Sequence, residues 1–158
     1  MKYTLSFTLN GDPVDVLVKP TDTLLDVLRE NLNVTSPKRG CDSGDCGACT
    51  VFLDDEPILS CLTIALTVMG RDIKTIESFT SKDGELDPLQ QSFHEHYAAQ
   101  CGFCTPGMLV ASKALLDTNA NPTREEIVEA ISGNICRCGT YHEVIEAVQA
   151  FAGGERKE

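Results

Sequence analysis

The chain of 158 residues carries 24 acidic and 13 basic side chains. Its formal net charge of −11 excludes most unaided binding of nucleic acids, because no basic patch is available to meet phosphates. The hydrophobic fraction of 42% and charged fraction of 23% are ordinary for a soluble globular protein of one domain or two small ones, and no apolar run approaches the length of a membrane span.

A β-hairpin over residues 3–19 is the first predicted element. Apolar residues alternate with polar ones on both sides of a turn, at Tyr3, Leu5, Phe7 and Leu9 and again at Val14, Val16 and Val18. This period is typical of strands with one buried face. Asn10-Gly11, between the two runs, is a favoured two-residue turn.

A helix follows the hairpin, with Thr23 and Asp26 as its capping pair. It would place Leu24, Leu25, Leu28 and Leu32 on one face. Further strands are predicted near residues 50–53 and 73–76, whereas periodicity leaves the apolar run 58–69 open to strand, helix or both. A hairpin with a packed helix indicates a ferredoxin-like β-grasp domain over residues 1–79.

The C-terminal half predicts a linker at residues 80–86, an all-α four-helix bundle over 87–152 and a polar tail at 153–158. Four helix starts are marked by Asp87-Pro88, Thr105-Pro106, Thr123 with Glu126, and Thr140 with Glu143. Apolar residues follow at helical spacing and are predicted to lie in the core, for example Leu89, Phe93 and Tyr97. The fold class predicted for the whole chain is therefore α+β.

Eight cysteines fall into two sets of four. The first set, Cys41-x4-Cys46-x2-Cys49 followed by Cys61, has the spacing with which plant-type ferredoxins hold a [2Fe-2S] cluster. Around it, Gly40, Gly44 and Gly47 permit backbone shapes with positive φ and bring N–H groups near sulfur. We call these four cysteines the first thiol set and expect them to bind one cluster.

The second thiol set consists of two short pairs, Cys101-x2-Cys104 and Cys136-x-Cys138. The pairs lie at the junctions between the first and second and between the third and fourth predicted helices. In an up-down-up-down bundle these junctions lie at the same end, so the four thiolates converge. Helix N-termini near Thr105 and Thr140 would direct N–H groups toward an anionic cluster. Two clusters in one small chain indicate electron transfer.

Other chemistries fit the cysteines less well. Disulfides suit a secreted chain, but this one opens without a continuous hydrophobic signal segment, and thiols stay reduced in the cytoplasm, where we expect the protein. Two structural zinc sites are the better rival. A phosphate-binding loop is disfavoured because Asp42 and Asp45 would repel phosphate and no Gly-Lys-Ser/Thr ending follows.

Other polar residues near the second thiol set have weaker cases. His94 and His96 could suggest a Rieske-type cluster, but four cysteines already complete the ligand set, and we expect His142 to lie at the surface. Arg137 lies between two cysteines. It could brace the loop or reduce the negative charge of a cluster, and the sequence does not decide between these roles.

Three motifs together resemble the iron-sulfur subunit of the molybdenum hydroxylases, the family of xanthine dehydrogenase, aldehyde oxidase, aerobic carbon monoxide dehydrogenase and 4-hydroxybenzoyl-CoA reductase. The motifs are Gly40-Cys41-x4-Cys46-Gly47-Ala48-Cys49-Thr50, Gln100-Cys101-Gly102-Phe103-Cys104-Thr105-Pro106-Gly107 and Gly133-Asn134-x-Cys136-Arg137-Cys138. The likeness covers residues 3 to about 152.

The resemblance implies an electron relay with two [2Fe-2S] clusters, between a molybdopterin-binding large subunit and an FAD-binding medium subunit. The second thiol set would lie nearest molybdenum, and Gln100 would contact the pterin. The family often has Cys-Thr-Gly-Tyr where this chain has Cys138-Gly139-Thr140-Tyr141. A free-standing two-cluster ferredoxin and a zinc-stabilised interaction module are the rival functions.

Overall fold

The N-terminal half is built on a mixed sheet, and the computed structural model describes residues 1–81 and 83–154. The strands are β1 Tyr3–Leu9, β2 Asp12–Val18, β3 Thr50–Leu53, β4 Glu56–Leu59 and β5 Asp72–Lys74. Their order across the sheet is β2-β1-β5-β3-β4. β1 and β5 pair in parallel, and the other neighbouring strands pair antiparallel.

The predicted hairpin is confirmed by β1 and β2, which pair from Tyr3 opposite Val18 to Leu9 opposite Asp12. The turn residues Asn10 and Gly11 have φ values of 53° and 89°. Two consecutive residues with positive φ match the twist of a hairpin, which is why an Asn-Gly pair suits this turn.

The predicted first helix is shorter than expected. The capping box between Thr23 and Asp26 is present, but the α-helix α1 covers only Leu24–Asp26 before a π-helical turn over Val27–Asn31. In this turn the backbone N–H of Leu32 bonds the carbonyl of Val27 at 3.1 Å. The wider turn brings Val27 into the core, a position that α-helical spacing did not predict, while Leu32 is only half-buried.

The run 58–69 contains both kinds of structure. It begins in β4, passes through Cys61 and ends in a 3-10 helix, Ala65–Val68. The strand predicted at 73–76 is found as β5 one residue earlier, and Ile76–Ser78 forms another 3-10 turn. The buried sheet face and α1 share one apolar core that includes Leu5, Leu24 and Ile73.

The C-terminal half contains four helices, as predicted: α2 Pro88–Glu95, α3 Thr105–Thr118, α4 Arg124–Ile131 and α5 Tyr141–Gly153. They enclose a second core that includes Leu89, Met108, Ile127 and Val148. Tyr97 is 82% exposed, so its predicted core position is wrong. The reason is that α2 ends at Glu95 and the chain turns away with positive φ at Tyr97.

Two of the four predicted capping sites are present as expected. Asp87 caps α2 and Thr123 caps α4, both in reciprocal capping boxes. Thr105 is not a cap, because α3 already includes it and Cys104 occupies the N-cap position. The Thr105 hydroxyl is buried and has no hydrogen-bond partner in the described part of the chain.

We keep the domain limits 1–79, 80–86 and 87–152 as a proposed division. The last element before the linker is the 3-10 turn Ile76–Ser78, and α2 begins at Pro88. Lys82 of the linker and residues 155–158 of the polar tail lie outside the described residues. No helix among the described residues combines the length and apolar character that a membrane crossing requires.

Candidate iron-sulfur sites

The first thiol set lies in the irregular loop before β3 and just after β4. Cys49 and Cys61 are buried beside Leu25, Cys46 is half-buried and Cys41 is exposed. The loop is wound tightly enough that the backbone N–H of Ser43 reaches the sulfur of Cys41 at 3.4 Å.

The three glycines of this loop have different roles. Gly44 and Gly47 have φ values of 85° and 66°, as predicted, but Gly40 has no positive φ. Gly40 matters for space instead, since a Cβ there would lie 2.7 Å from the Cys46 sulfur. Asp42, which no pattern marked, also adopts positive φ, at 57°.

The thiols of the first set interact in pairs: Cys41 with Cys46, and Cys49 with Cys61. The backbone N–H of Ser43 lowers the pKa of Cys41 to about 6. Burial raises the pKa of Cys61 to about 12. Cys41 is therefore ready to ionise, whereas Cys46 and Cys61, whose pKa values burial raises, need a positive charge nearby.

The second thiol set joins the two helix junctions predicted to meet. Cys101 and Cys104 precede α3, and Cys136 and Cys138 precede α5. The thiols again interact in pairs that cross between the junctions: Cys101 with Cys138, and Cys104 with Cys136. This crossing places all four sulfurs at one end of the helical array.

The same contrast in pKa appears in the second set. Burial raises the pKa of Cys104 to about 12. Burial also raises the pKa of Cys136, but hydrogen bonds from the hydroxyl and backbone of Thr140 outweigh it and bring the pKa down to about 7. The Phe103 backbone N–H lowers the pKa of exposed Cys101.

The donor chemistry fits two-iron clusters. All eight cysteines are free thiols, and each set supplies four of them, the number that ligates a [2Fe-2S] core. In residues 1–81 and 83–154, no three His, Cys, Asp or Glu side chains converge as ligands of a single metal ion.

Thr140 contacts a cysteine sulfur, a role that its capping signature did not indicate. It occupies the N-cap position of α5, but its side chain makes no capping hydrogen bond, so the capping box predicted with Glu143 is wrong. Its hydroxyl lies 3.2 Å from the Cys136 sulfur and is buried with it. The backbone of Thr140 is at φ −74° and ψ 21°, whereas that of the capping residue Thr123 is extended, at φ −69° and ψ 164°. Glu143 Oε2 is buried without a partner in the described chain.

Tyr141 supports the same loop from outside. Its hydroxyl accepts a hydrogen bond from the backbone N–H of Cys136 at 2.8 Å. The order Gly139-Thr140-Tyr141 thus supplies two consecutive side chains that hold Cys136. Sequence patterns did not assign this role, because helix capping and sulfur contact use the same kind of residue.

The loops that carry the two thiol sets touch each other. The backbone N–H of Ile135 donates to the carbonyl of Cys46 at 2.9 Å. The side-chain amide of Asn134, which is 4% exposed, donates to the carbonyl of Gly47 at 3.0 Å. A single hydrogen bond therefore joins Cys46 to the residue before Cys136. The motif Gly133-Asn134-x-Cys136 marked this region, but its spacing gave no sign of a partner in the other domain.

The remaining candidates lie at the surface. Gln100 is exposed, and its side chain makes no hydrogen bond in the described chain, so it is not satisfied by backbone. Arg137 is exposed and equally free of partners there. His96 contacts the carbonyl of Ser92, and His142 pairs with Glu146 at 3.2 Å. No hydrogen bond in the described chain joins a histidine to a thiol.

Two family models match the chain. A 2Fe-2S iron-sulfur cluster binding domain matches residues 7–66, and a [2Fe-2S] binding domain matches residues 75–149. Each match contains one complete thiol set.

Curated relatives and solved structures resemble the chain over nearly its whole length. The nicotine 6-hydroxylase small subunit of Paenarthrobacter nicotinovorans is 47% identical over 93% of this chain and 88% of its own length. The nicotinate dehydrogenase small FeS subunit of Eubacterium barkeri is 45% identical over 94% of both chains. A chain of quinoline 2-oxidoreductase from Pseudomonas putida 86 is 42% identical, with a TM-score of 0.92 over 96% of this chain and 93% of that chain.

Replacing Thr140 by valine tests its contact with Cys136. Valine keeps the shape but removes the hydroxyl, which donates to the sulfur when Cys136 is a thiolate ligand. Hydrogen bonds to ligand sulfur stabilise the more negative, reduced cluster. We expect Thr140→Val to lower the midpoint potential of the second cluster, measured by redox titration with electron paramagnetic resonance.

Thr140→Ser is the matched control, because it keeps the hydroxyl and loses only a methyl group. It should leave the potential near that of the unaltered protein. An unchanged potential in Thr140→Val would show that the hydroxyl does not act on this sulfur.

Proposed function

Because the chain belongs to the family of iron-sulfur small subunits of the molybdenum hydroxylases, we propose that it relays electrons from a molybdopterin site in one partner subunit to FAD in another. The chain is an electron-transfer subunit of an oxidoreductase complex and carries two [2Fe-2S] binding domains.

The observation that carries the proposal is the presence of two complete thiol sets on loops that hydrogen bonds join, from Ile135 N–H to the Cys46 carbonyl and from the Asn134 amide to the Gly47 carbonyl. We propose Cys41, Cys46, Cys49 and Cys61 as ligands of the first cluster, and Cys101, Cys104, Cys136 and Cys138 as ligands of the second. When bound, each cluster takes up and releases one electron. The chain holds the sulfurs, donates N–H and hydroxyl hydrogen bonds to them and keeps the two loops together.

We propose that the second thiol set faces the molybdopterin subunit and the first faces the FAD subunit. The exposed, unpartnered amide of Gln100, directly before Cys101, supports this orientation because it is available to a group on another chain.

The expected location is the cytoplasm. Eight free thiols need a reducing compartment to remain available as ligands. A free-standing ferredoxin is the rival function, and it predicts a chain that purifies alone and serves several reductases.

Loss of the first cluster tests the order of the relay. In a Cys49→Ser complex that still assembles, we expect substrate to reduce molybdenum and the second cluster at near-normal rates, while FAD reduction becomes very slow. The reason is that the first cluster would lie between the second cluster and FAD. Rapid mixing with optical and electron paramagnetic resonance detection measures each step.

Cys136→Ser is the matched control and should leave the first cluster assembled while it removes the second. If FAD is reduced quickly in Cys49→Ser with the first cluster verified absent, the proposed order is wrong.

The proposed pterin contact is tested by Gln100→Ala. Both clusters should remain, because Gln100 donates to no thiol, but molybdenum-cofactor retention or its electron transfer to the second cluster should fall. Metal analysis and single-turnover reduction of the second cluster measure the two effects. Gln149→Ala, at an exposed position on α5, is the control, and equal behaviour of both variants would remove Gln100 from the site.

A further inference from the structure

Three segments that carry ligand cysteines cross at the side chain of Asn134. They are the loop at Cys46 and Gly47, the first turn of α3 at Gly107, and the loop leading to Cys136. The Asn134 amide donates to the carbonyl of Gly47, and the next backbone N–H donates to the carbonyl of Cys46. We call this region the loop crossing.

The loop crossing has no room for a single extra carbon atom at two positions. A Cβ at Gly47 would lie 2.4 Å from the Gly133 carbonyl oxygen and 2.6 Å from Asn134 Nδ2. A Cβ at Gly107 would lie 2.3 Å from the Gly47 carbonyl oxygen and 2.9 Å from Asn134 Nδ2. Real Cβ atoms essentially never approach other atoms this closely, and here the obstacle is backbone, which cannot swing aside as a side chain does.

Gly107 is informative because its backbone does not require glycine. It lies in the first turn of α3 and has no positive φ. Alanine is more favourable than glycine inside a helix, so the close approach of another segment, rather than helix formation, explains the glycine. Gly47, in contrast, has φ of 66° and would be strained by a side chain for that reason alone.

We propose that the loop crossing sets the spacing between the two thiol sets, with Gly47, Gly107 and Asn134 as positioning residues for electron transfer between the clusters. This inference rests on the proposed function, because the spacing matters to electron transfer only when both sets hold clusters. Electron tunnelling between centres slows steeply as their separation grows. The direct approach of three backbone segments keeps that separation at its minimum.

Gly107→Ala in the intact complex is the principal test. The new methyl group must push the Gly47 carbonyl away until the 2.3 Å approach reaches the 3.4 Å of ordinary van der Waals contact. We expect faster hydrogen-deuterium exchange in the peptide that contains Ile135, because its bond to Cys46 is lost. We also expect a smaller magnetic splitting between the two reduced clusters, since this interaction falls steeply with distance.

Gly133→Ala is the matched control. Gly133 lies in the same loop, but a Cβ there would meet nothing within 4 Å, and it has no positive φ. This variant should keep the exchange rate and the splitting of the unaltered complex. Asn134→Ala is a second variant that adds no atoms and removes the bond to Gly47. It therefore tests the role of the loop crossing if Gly107→Ala does not assemble.

The results separate this inference from the proposed function. Two clusters with faster exchange and smaller splitting in Gly107→Ala or Asn134→Ala, but not in Gly133→Ala, support the loop crossing. Two clusters with unchanged exchange and splitting in both variants overturn it and leave the proposed function intact. Absence of two clusters from the unaltered complex overturns the proposed function, and this inference with it.

Discussion

The ionisation of closely placed, partly buried thiols is the constraint on which both sites depend. In each set, a thiol with a lowered pKa interacts with one whose pKa is raised: Cys41 with Cys46, and Cys136 with Cys104. In these two pairs, within a chain already at a net charge of −11, one sulfur ionises more readily than the other. A positively charged core lets all four sulfurs ionise. Binding such a core releases protons and contributes to folding free energy.

The two thiol sets meet this constraint with different backbone structures. The first set uses a loop whose positive-φ residues curl N–H groups toward sulfur, held between α1 and the ends of β3 and β4. The second uses the ends of four helices, where the Phe103 N–H and the Thr140 hydroxyl reach the sulfurs. The loop crossing at Asn134 then joins the two arrangements through backbone contacts that a long side chain would have prevented. A rigid link between the sets suits a relay better than two domains tethered only by their linker.

Most of the fold followed from local patterns, because alternation, turn residues and capping boxes act within a few residues. The hairpin at Asn10-Gly11 and the boxes at Asp87 and Thr123 are of this kind. The π-helical turn after Asp26 did not follow, since it depends on how Val27 packs in the core. Thr140 shows the limit most clearly: threonine followed by glutamate three residues later predicts a cap, but the Thr140 backbone is not extended, and its hydroxyl makes no capping bond and contacts a sulfur four residues earlier. The sequence motif included Asn134, but its hydrogen-bond partner Gly47 lies 87 residues away and was not predicted.

Iron and acid-labile sulfide content of the purified complex is the most direct test of the two-cluster assignment. With both thiol sets filled, each copy of this chain should bring about four irons and about four sulfides, because a [2Fe-2S] cluster holds two of each. Stoichiometric zinc without labile sulfide, in protein produced with ample iron, would contradict the account. It would make the two sites structural zinc centres, and an electron relay through this chain would be impossible.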